Sequence, residues 1–166
     1  MNVLLTLGSN LDNPIAQVQK AVAALQQESD IEVLEQASLY SSSPRGPQDQ
    51  DDYVNSAVLI DTPLNAIDLL KLTQRIENAF GRTKTRVWGE RIIDIDIIFF
   101  GQENISIEDP DLQIPHREAL VRDFVLIPCL EIAPHWRLPN GEALADYVNK
   151  CEHHDLVKIE INLACS

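Results

Sequence analysis

The apolar positions of this chain form alternating short runs and helical stripes. Residues 3–7 are a short, mainly apolar run ending in Gly8, Ser9 and Asn10, the composition of a strand entering a turn. Asp12 or Asn13 can cap a helix with Pro14 in its first turn. Ile15, Val18, Val22 and Leu25 then recur every three or four residues as one buried stripe. Ile31, Val33, Ala37 and Leu39 keep a period of two with one interruption and predict a second strand. Residues 41–52, dense in Ser, Pro, Gly and Asp, are irregular. In a third strand over residues 53–60, alternation sends Tyr53, Asn55, Ala57 and Leu59 to one face and Val54, Ser56, Val58 and Ile60 to the other.

Thr62 and Pro63 open a second helix with Leu69, Leu72, Ile76 and Phe80 on one stripe, ending before Gly81. Residues 92–100 form a fourth strand. The order β-α-β-β-α-β predicts an α+β, ferredoxin-like βαββαβ sandwich: a central antiparallel sheet with helices on one face, plus C-terminal additions. Beyond Gly101 the pattern weakens to an acidic turn, a Pro115-His116 step, a short helix near Glu118 and an apolar run after Phe124. Val157, Ile159, Ile161 and Leu163 alternate with polar residues and predict a late edge strand. With no internal repeat and no linker, residues 1–166 read as a single domain.

Charge changes the picture in one place. The chain carries 13 basic and 26 acidic residues, a net charge of −13, which argues against a general nucleic-acid binder. Yet Lys71, Arg75, Arg82, Lys84, Arg86 and Arg91 face only Glu77 and Glu90 over residues 71–91, a basic island suited to a polyanion. An ordinary solvated loop is the bland alternative. The apolar runs are too short to cross a bilayer, and the first basic residue is Lys20, so neither a transmembrane helix nor a secretory leader is expected. Cys129, Cys151 and Cys165 make an odd count without a CxxC pair, which favours a reducing, cytoplasmic setting. Cys151 lies near His153 and His154, but so few ligands read as a polar surface segment rather than a zinc site.

The chemistry centres on Asp94 and Asp96, which interrupt an otherwise apolar strand and, two apart, share one face. Paired carboxylates on such a strand repel each other and lose hydration, so something must compensate them. Magnesium does so, since it takes hard oxygen ligands from one or two carboxylates together with substrate phosphates. A structural salt bridge to arginines is the alternative. The six glycines fit neither GxxxxGK nor GxGxxG. Phosphate binding therefore falls to Arg82, Arg86 and Arg91, whose planar cations feed into the Asp94 strand. Gln74 and Glu77, three apart on the second helix, can bond a base or ribose, although exposed Gln and Glu on helices are ordinary. Trp88 in an irregular basic segment is placed to cover something flat. Tyr53 and Asn55 share a strand face, as a stacking surface beside an amide that reads a heterocycle edge, or else as core.

Several motifs then fall in order: Gly8-Ser9-Asn10-Leu11; Gly46-Pro47-Gln48-Asp49-Gln50 with Tyr53 and Asn55; Gln74-Arg75-Ile76-Glu77 with Gly81-Arg82; Trp88-Gly89 and Arg91 leading into Asp94-Ile95-Asp96-Ile97; and Pro115-His116 with Arg122 and Phe124. Together they resemble the 6-hydroxymethyl-7,8-dihydropterin pyrophosphokinases of folate biosynthesis, from Gly8 to about Gly141. The resemblance implies an ATP-dependent pyrophosphokinase with Asp94 and Asp96 holding two magnesium ions. Arg82 and Arg91 would neutralise charge on the transferred group. Gln74, Glu77, Ile97, Leu112, His116 and Arg122 would line the ATP pocket, and Trp88 would close over it. Asn55 would read the pterin edge, Tyr53 and Phe124 would stack on its faces, and Ser42, Ser43 and Arg45 would add main-chain contacts.

The family commonly has a basic residue before the tryptophan and a proline after the Trp-Gly pair; Val87 and Glu90 stand there in this chain. Asp111 and Arg117 also depart from the pattern and receive no catalytic role. The implied partners are ATP and the hydroxymethyl dihydropterin, with no nucleic acid and no membrane, for a monomer. Two other readings compete: a magnesium-dependent nucleotidyltransferase, which would release pyrophosphate rather than AMP, and a non-catalytic ferredoxin-like ligand-binding module.

Overall fold

A computed structural model describes residues 1–10, 13–42, 53–81, 92–151 and 156–159. Its strands are β1 (Asn2–Ser9), β2 (Glu32–Gln36), β3 (Tyr40–Ser42), β4 (Tyr53–Asp61), β5 (Asp94–Phe100), β6 (Ile105–Ile107), β7 (Leu112–Ile114) and β8 (Val157–Lys158). The helices are α1 (Pro14–Gln26), α2 (Ala66–Gly81) and α3 (Asp123–Ile132), followed by a 3-10 turn at Leu144–Tyr147. The fold is α+β. The main sheet runs β5-β1-β4-β3-β8, with β2 also paired to β4, and every pairing is antiparallel.

Asn13 precedes Pro14 with φ 64°, and α1 buries Val18, Ala21, Val22 and Leu25, the expected stripe. The second expected strand is two short ones on the same partner. A register shift between Val33 and Glu35 marks the interruption seen in the alternation. Between them, Ala37 still bonds β4 through its amide to the Ala57 carbonyl at 2.8 Å. The second helix starts later than Thr62-Pro63. Asn65 Oδ1 accepts the Asp68 amide at 2.8 Å and caps α2. Thr62 instead donates to the Asp30 carbonyl at 2.6 Å.

The sheet is covered on both faces, which corrects the expectation of helices on one. Val3, Leu5 and Leu7 of β1, with Val54, Val58 and Ile60 of β4, pack under α1 and α2. Leu4, Ala57, Ile98 and Phe99 lie on the opposite face under Val125, Leu126 and Cys129 of α3. Burying a large apolar side chain is worth about 1.5–3 kcal/mol, so leaving that second face bare would be costly. The apolar run after Phe124 is this covering helix. It shows no amphipathic stripe in sequence because five of its ten residues are buried and Pro128 lies inside it.

The segment near Glu118 is a succession of turns, with the Ala119 amide on the His116 carbonyl at 3.0 Å and the Val121 amide on that of Glu118 at 3.3 Å. Regular helix begins only after Arg122, whose backbone is extended. The late edge strand pairs Val157 and Lys158 with Ser41 and Tyr40, while residues 160–166 lie outside the described residues.

Candidate active site

The site grows from the middle of the sheet. Thr6 of β1 faces Asp96 on one side and Ala57 on the other; two residues on, Gly8 faces Asp94 and Asn55. The alternation of β-strands therefore turns Asp94 and Asp96 to the same side as Asn55. One strand separates β5 from β4, which sets the carboxylates and Asn55 on the order of 10 Å apart. Between them the floor is Gly8, where an added Cβ would lie 3.2 Å from Asn55 Oδ1. The Asn55 amide is oriented by donating from Nδ2 to Ser42 Oγ at 2.8 Å.

A bulge completes the floor. β1 and β5 slip register between Leu4 and Leu5, and the extra residue is Ile98, which joins the pocket side. Its carbonyl accepts the His116 amide at 3.0 Å, which brings the 116–125 segment over the sheet. The result is a cavity of about 300 Å³, within the range of small-molecule sites. Ser42, Tyr53 and Asn55 line one end, Asp94 and Asp96 the other, and His116, Arg122 and Phe124 lie around it.

Those eight residues are brought together from four separate stretches of chain. Four other expected residues do not line this cavity. Ile97 and Leu112 are buried in the core on the α1–α2 side and do not line this cavity. Gln74 is exposed on α2. Glu77 accepts the Ile95 amide through Oε2 at 2.7 Å. Ser43, Arg45, Arg82, Trp88 and Arg91 lie outside the described residues, as do Arg86, Val87 and Glu90. Asp111 and Arg117 pair with each other at 3.2 Å in an exposed ion pair.

Glu118 is a cavity residue that the sequence motifs do not single out. It lines the cavity and holds Arg122 Nη2 at 2.6 Å. Its spacing of four from Arg122 was the available signal. The Arg122 guanidinium also lies 5.4 Å from the centre of the Phe124 ring, so it is held between a carboxylate and an aromatic face.

The donor set suits a hard divalent cation only in partnership. Asp94 and Asp96 project into the cavity, Asp96 exposed and Asp94 half-buried. Among the described residues no group of three or more His, Cys, Asp or Glu gathers as a cage. Two carboxylates completed by phosphate oxygens and water are the donor arrangement typical of magnesium. The thiols stand apart from this chemistry: Cys129 and Cys151 are free and buried, and burial pushes the Cys129 thiol up to about 12.

A cavity with paired carboxylates at one end and an oriented amide beside aromatic rings at the other is that of a small-molecule phosphoryl-transfer protein. The family model for 7,8-dihydro-6-hydroxymethylpterin-pyrophosphokinase matches residues 4–134, and the chain belongs to that family. It is 41% identical over 155 residues to the 2-amino-4-hydroxy-6-hydroxymethyldihydropteridine pyrophosphokinase of Haemophilus influenzae, covering 93% of this chain and 96% of that protein. The Pseudomonas aeruginosa protein of the same name is 36% identical over 157 residues, covering 95% and 96%. Among solved structures, the Plasmodium falciparum HPPK-DHPS with pteroate superposes with a TM-score of 0.69 at 16% identity. That match covers 90% of this chain but 42% of the other, and it speaks for the fold alone.

Proposed function

We propose that this chain transfers the pyrophosphoryl group of ATP to the hydroxymethyl group of 6-hydroxymethyl-7,8-dihydropterin, releasing AMP. The observation that carries the reading is one cavity shared by Asn55, by Asp94 across Gly8 from it, and by Asp96. At the β4 end, Asn55 reads the pterin edge and Tyr53 and Phe124 take its faces, with Ser42 holding the Asn55 amide. Ser43 and Arg45 add contacts there. At the β5 end, Asp94 and Asp96 would hold two magnesium ions that neutralise charge on the phosphate oxygens. His116 and Arg122 bind the nucleotide, together with Gln74 and with whatever backbone Ile97 and Leu112 offer. Arg82 and Arg91 supply charge to the transferred group, and Trp88 closes the site against water. The pterin hydroxyl oxygen bonds to the β-phosphorus as the bond from that phosphorus to the α–β bridging oxygen breaks; the hydroxyl proton is lost and AMP departs.

The reading extends to the rest of the chain. Residues 1–166 act as one monomeric pyrophosphokinase domain in the cytoplasm, and the strand order β5-β1-β4-β2/β3 with α1 and α2 on one face supports a ferredoxin-like core. Two core clusters on one sheet and two free buried thiols support a single reduced domain. No described helix is long and apolar enough to cross a membrane.

Product analysis with ATP, magnesium and the dihydropterin tests the proposal. Formation of AMP and the pterin pyrophosphate is expected. Pyrophosphate release would favour a nucleotidyltransferase, and failure of magnesium-ATP to bind at millimolar concentration would favour a non-catalytic module.

A further inference from the structure

β5 is the terminal strand of the main sheet, so one of its edges lacks a neighbouring strand among the described residues. Backbone groups on such an edge need other partners. One of them is supplied by a side chain from a helix: Glu77 of α2 accepts the Ile95 amide through Oε2 at 2.7 Å. Ile95 is the residue between Asp94 and Asp96. On the other side of Asp94, the buried Ser9 hydroxyl donates to the Ile92 carbonyl. The short stretch that carries both acids is thus fastened before and after Asp94 by groups from β1 and α2.

From these contacts we infer that Glu77 is a positioning residue for the aspartate pair. It fixes the Ile95 peptide, and through it the directions in which the two neighbouring carboxylates leave the strand. A turn of that peptide would swing both, because their Cα atoms flank it. The role differs from the nucleotide contact that its place on a helix first suggests. The inference rests on the reading that Asp94 and Asp96 hold divalent cations.

The test is manganese affinity, measured by calorimetry on the full chain with a non-hydrolysable ATP analogue, for wild type, Glu77→Gln and Glu77→Leu. Glutamine keeps an acceptor for the Ile95 amide and should stay within about threefold of wild type, whereas leucine should weaken the metal by the roughly 10–100-fold typical of a lost outer partner. Steady-state rates with ATP and with its 2′-deoxy analogue should show the same fold-loss for the leucine variant. Unchanged manganese affinity in Glu77→Leu would overturn the inference, as would a loss confined to ATP and absent with the deoxy nucleotide. A glutamine variant as weak as leucine would overturn it too, by assigning the effect to charge. If wild type itself binds no manganese beside the analogue, the metal reading fails first and takes this inference with it. Should Glu77→Leu lose its circular dichroism signal, Glu77→Asp, too short to reach the amide, replaces it in the same comparison.

Discussion

A Cβ on Gly8 would come within 3.2 Å of the side-chain oxygen of Asn55, the residue facing it across the β1–β4 ladder. The contact is tight rather than impossible, so alanine would move Asn55 rather than unfold the sheet. Gly8→Ala should disturb the Asn55–Ser42 bond and raise the pterin KM about tenfold, or ~1.4 kcal/mol, with the ATP KM nearly unchanged. The overpacking should lower stability by about 1–3 kcal/mol. Separate KM titrations and a denaturant melt check both.

Asp94→Ala and Asp96→Ala should each abolish turnover, a loss of about 10³-fold or more for a site that works by electrostatic stabilisation. Asp96 is exposed, so its removal should leave stability within about 0.5 kcal/mol of wild type. Single-turnover assays beside thermal melts separate the two effects. Normal activity in either variant would refute the assignment of the metal.

Phe124 carries the Arg122 guanidinium on its ring at 5.4 Å, while Glu118 holds the same cation at 2.6 Å. Phe124→Leu should therefore weaken the pterin by about 3–10-fold, in line with the ~0.5–1.5 kcal/mol of a ring–ring contact. Phe124→Tyr keeps the ring and should bind nearly as wild type. Equilibrium titration with the pterin reads the difference.

Glu131 ties α3 to the β2–β3 junction. Its carboxylate accepts the Ser38 amide at 2.9 Å, the Ser38 hydroxyl at 2.6 Å and the Tyr40 hydroxyl at 2.7 Å. Burial alone would raise this carboxyl, but the bonds from Ser38 and Tyr40, with Lys158 nearby, outweigh it and hold the group below its ordinary value. Stabilisation by a carboxyl lowered in this way is complete above its unfolded pKa and fades as pH falls through the depressed folded one. Because the Glu131 carboxylate is largely open to solvent, Glu131→Ala should cost about 0.5–1.5 kcal/mol at pH 7, and the gap to wild type should close on the acid side. Burial, and then Glu131, push the Tyr40 phenol upward, so its share is complete below about pH 10 and is lost above. Denaturant midpoints across pH test both limbs.

Much of the frame was legible because side-chain direction follows period. The stripe of α1, the two faces of β4 and the shared face of Asp94 and Asp96 all came from spacing alone. The turn chemistry was less readable. Thr62-Pro63 looked like a helix start, but the Thr62 hydroxyl was engaged with Asp30, and Asn65 took the cap. α3 escaped because a helix buried on several sides has no polar face to mark its period.

By itself the order of residues determined the positions of β1, α1 and β4 and most of α2 and β5, the pairing of two acids on one face, and the motifs shared with a pyrophosphokinase family. Tertiary structure alone decided that Gly8 lies between Asn55 and Asp94, that Glu118 restrains Arg122, and that Glu77 grips the Ile95 backbone. The reason is physical. Periodicity records which way a side chain points, whereas the group that comes to meet it can be far along the chain, as Ser9 meets Ile92 and Ser38 meets Glu131.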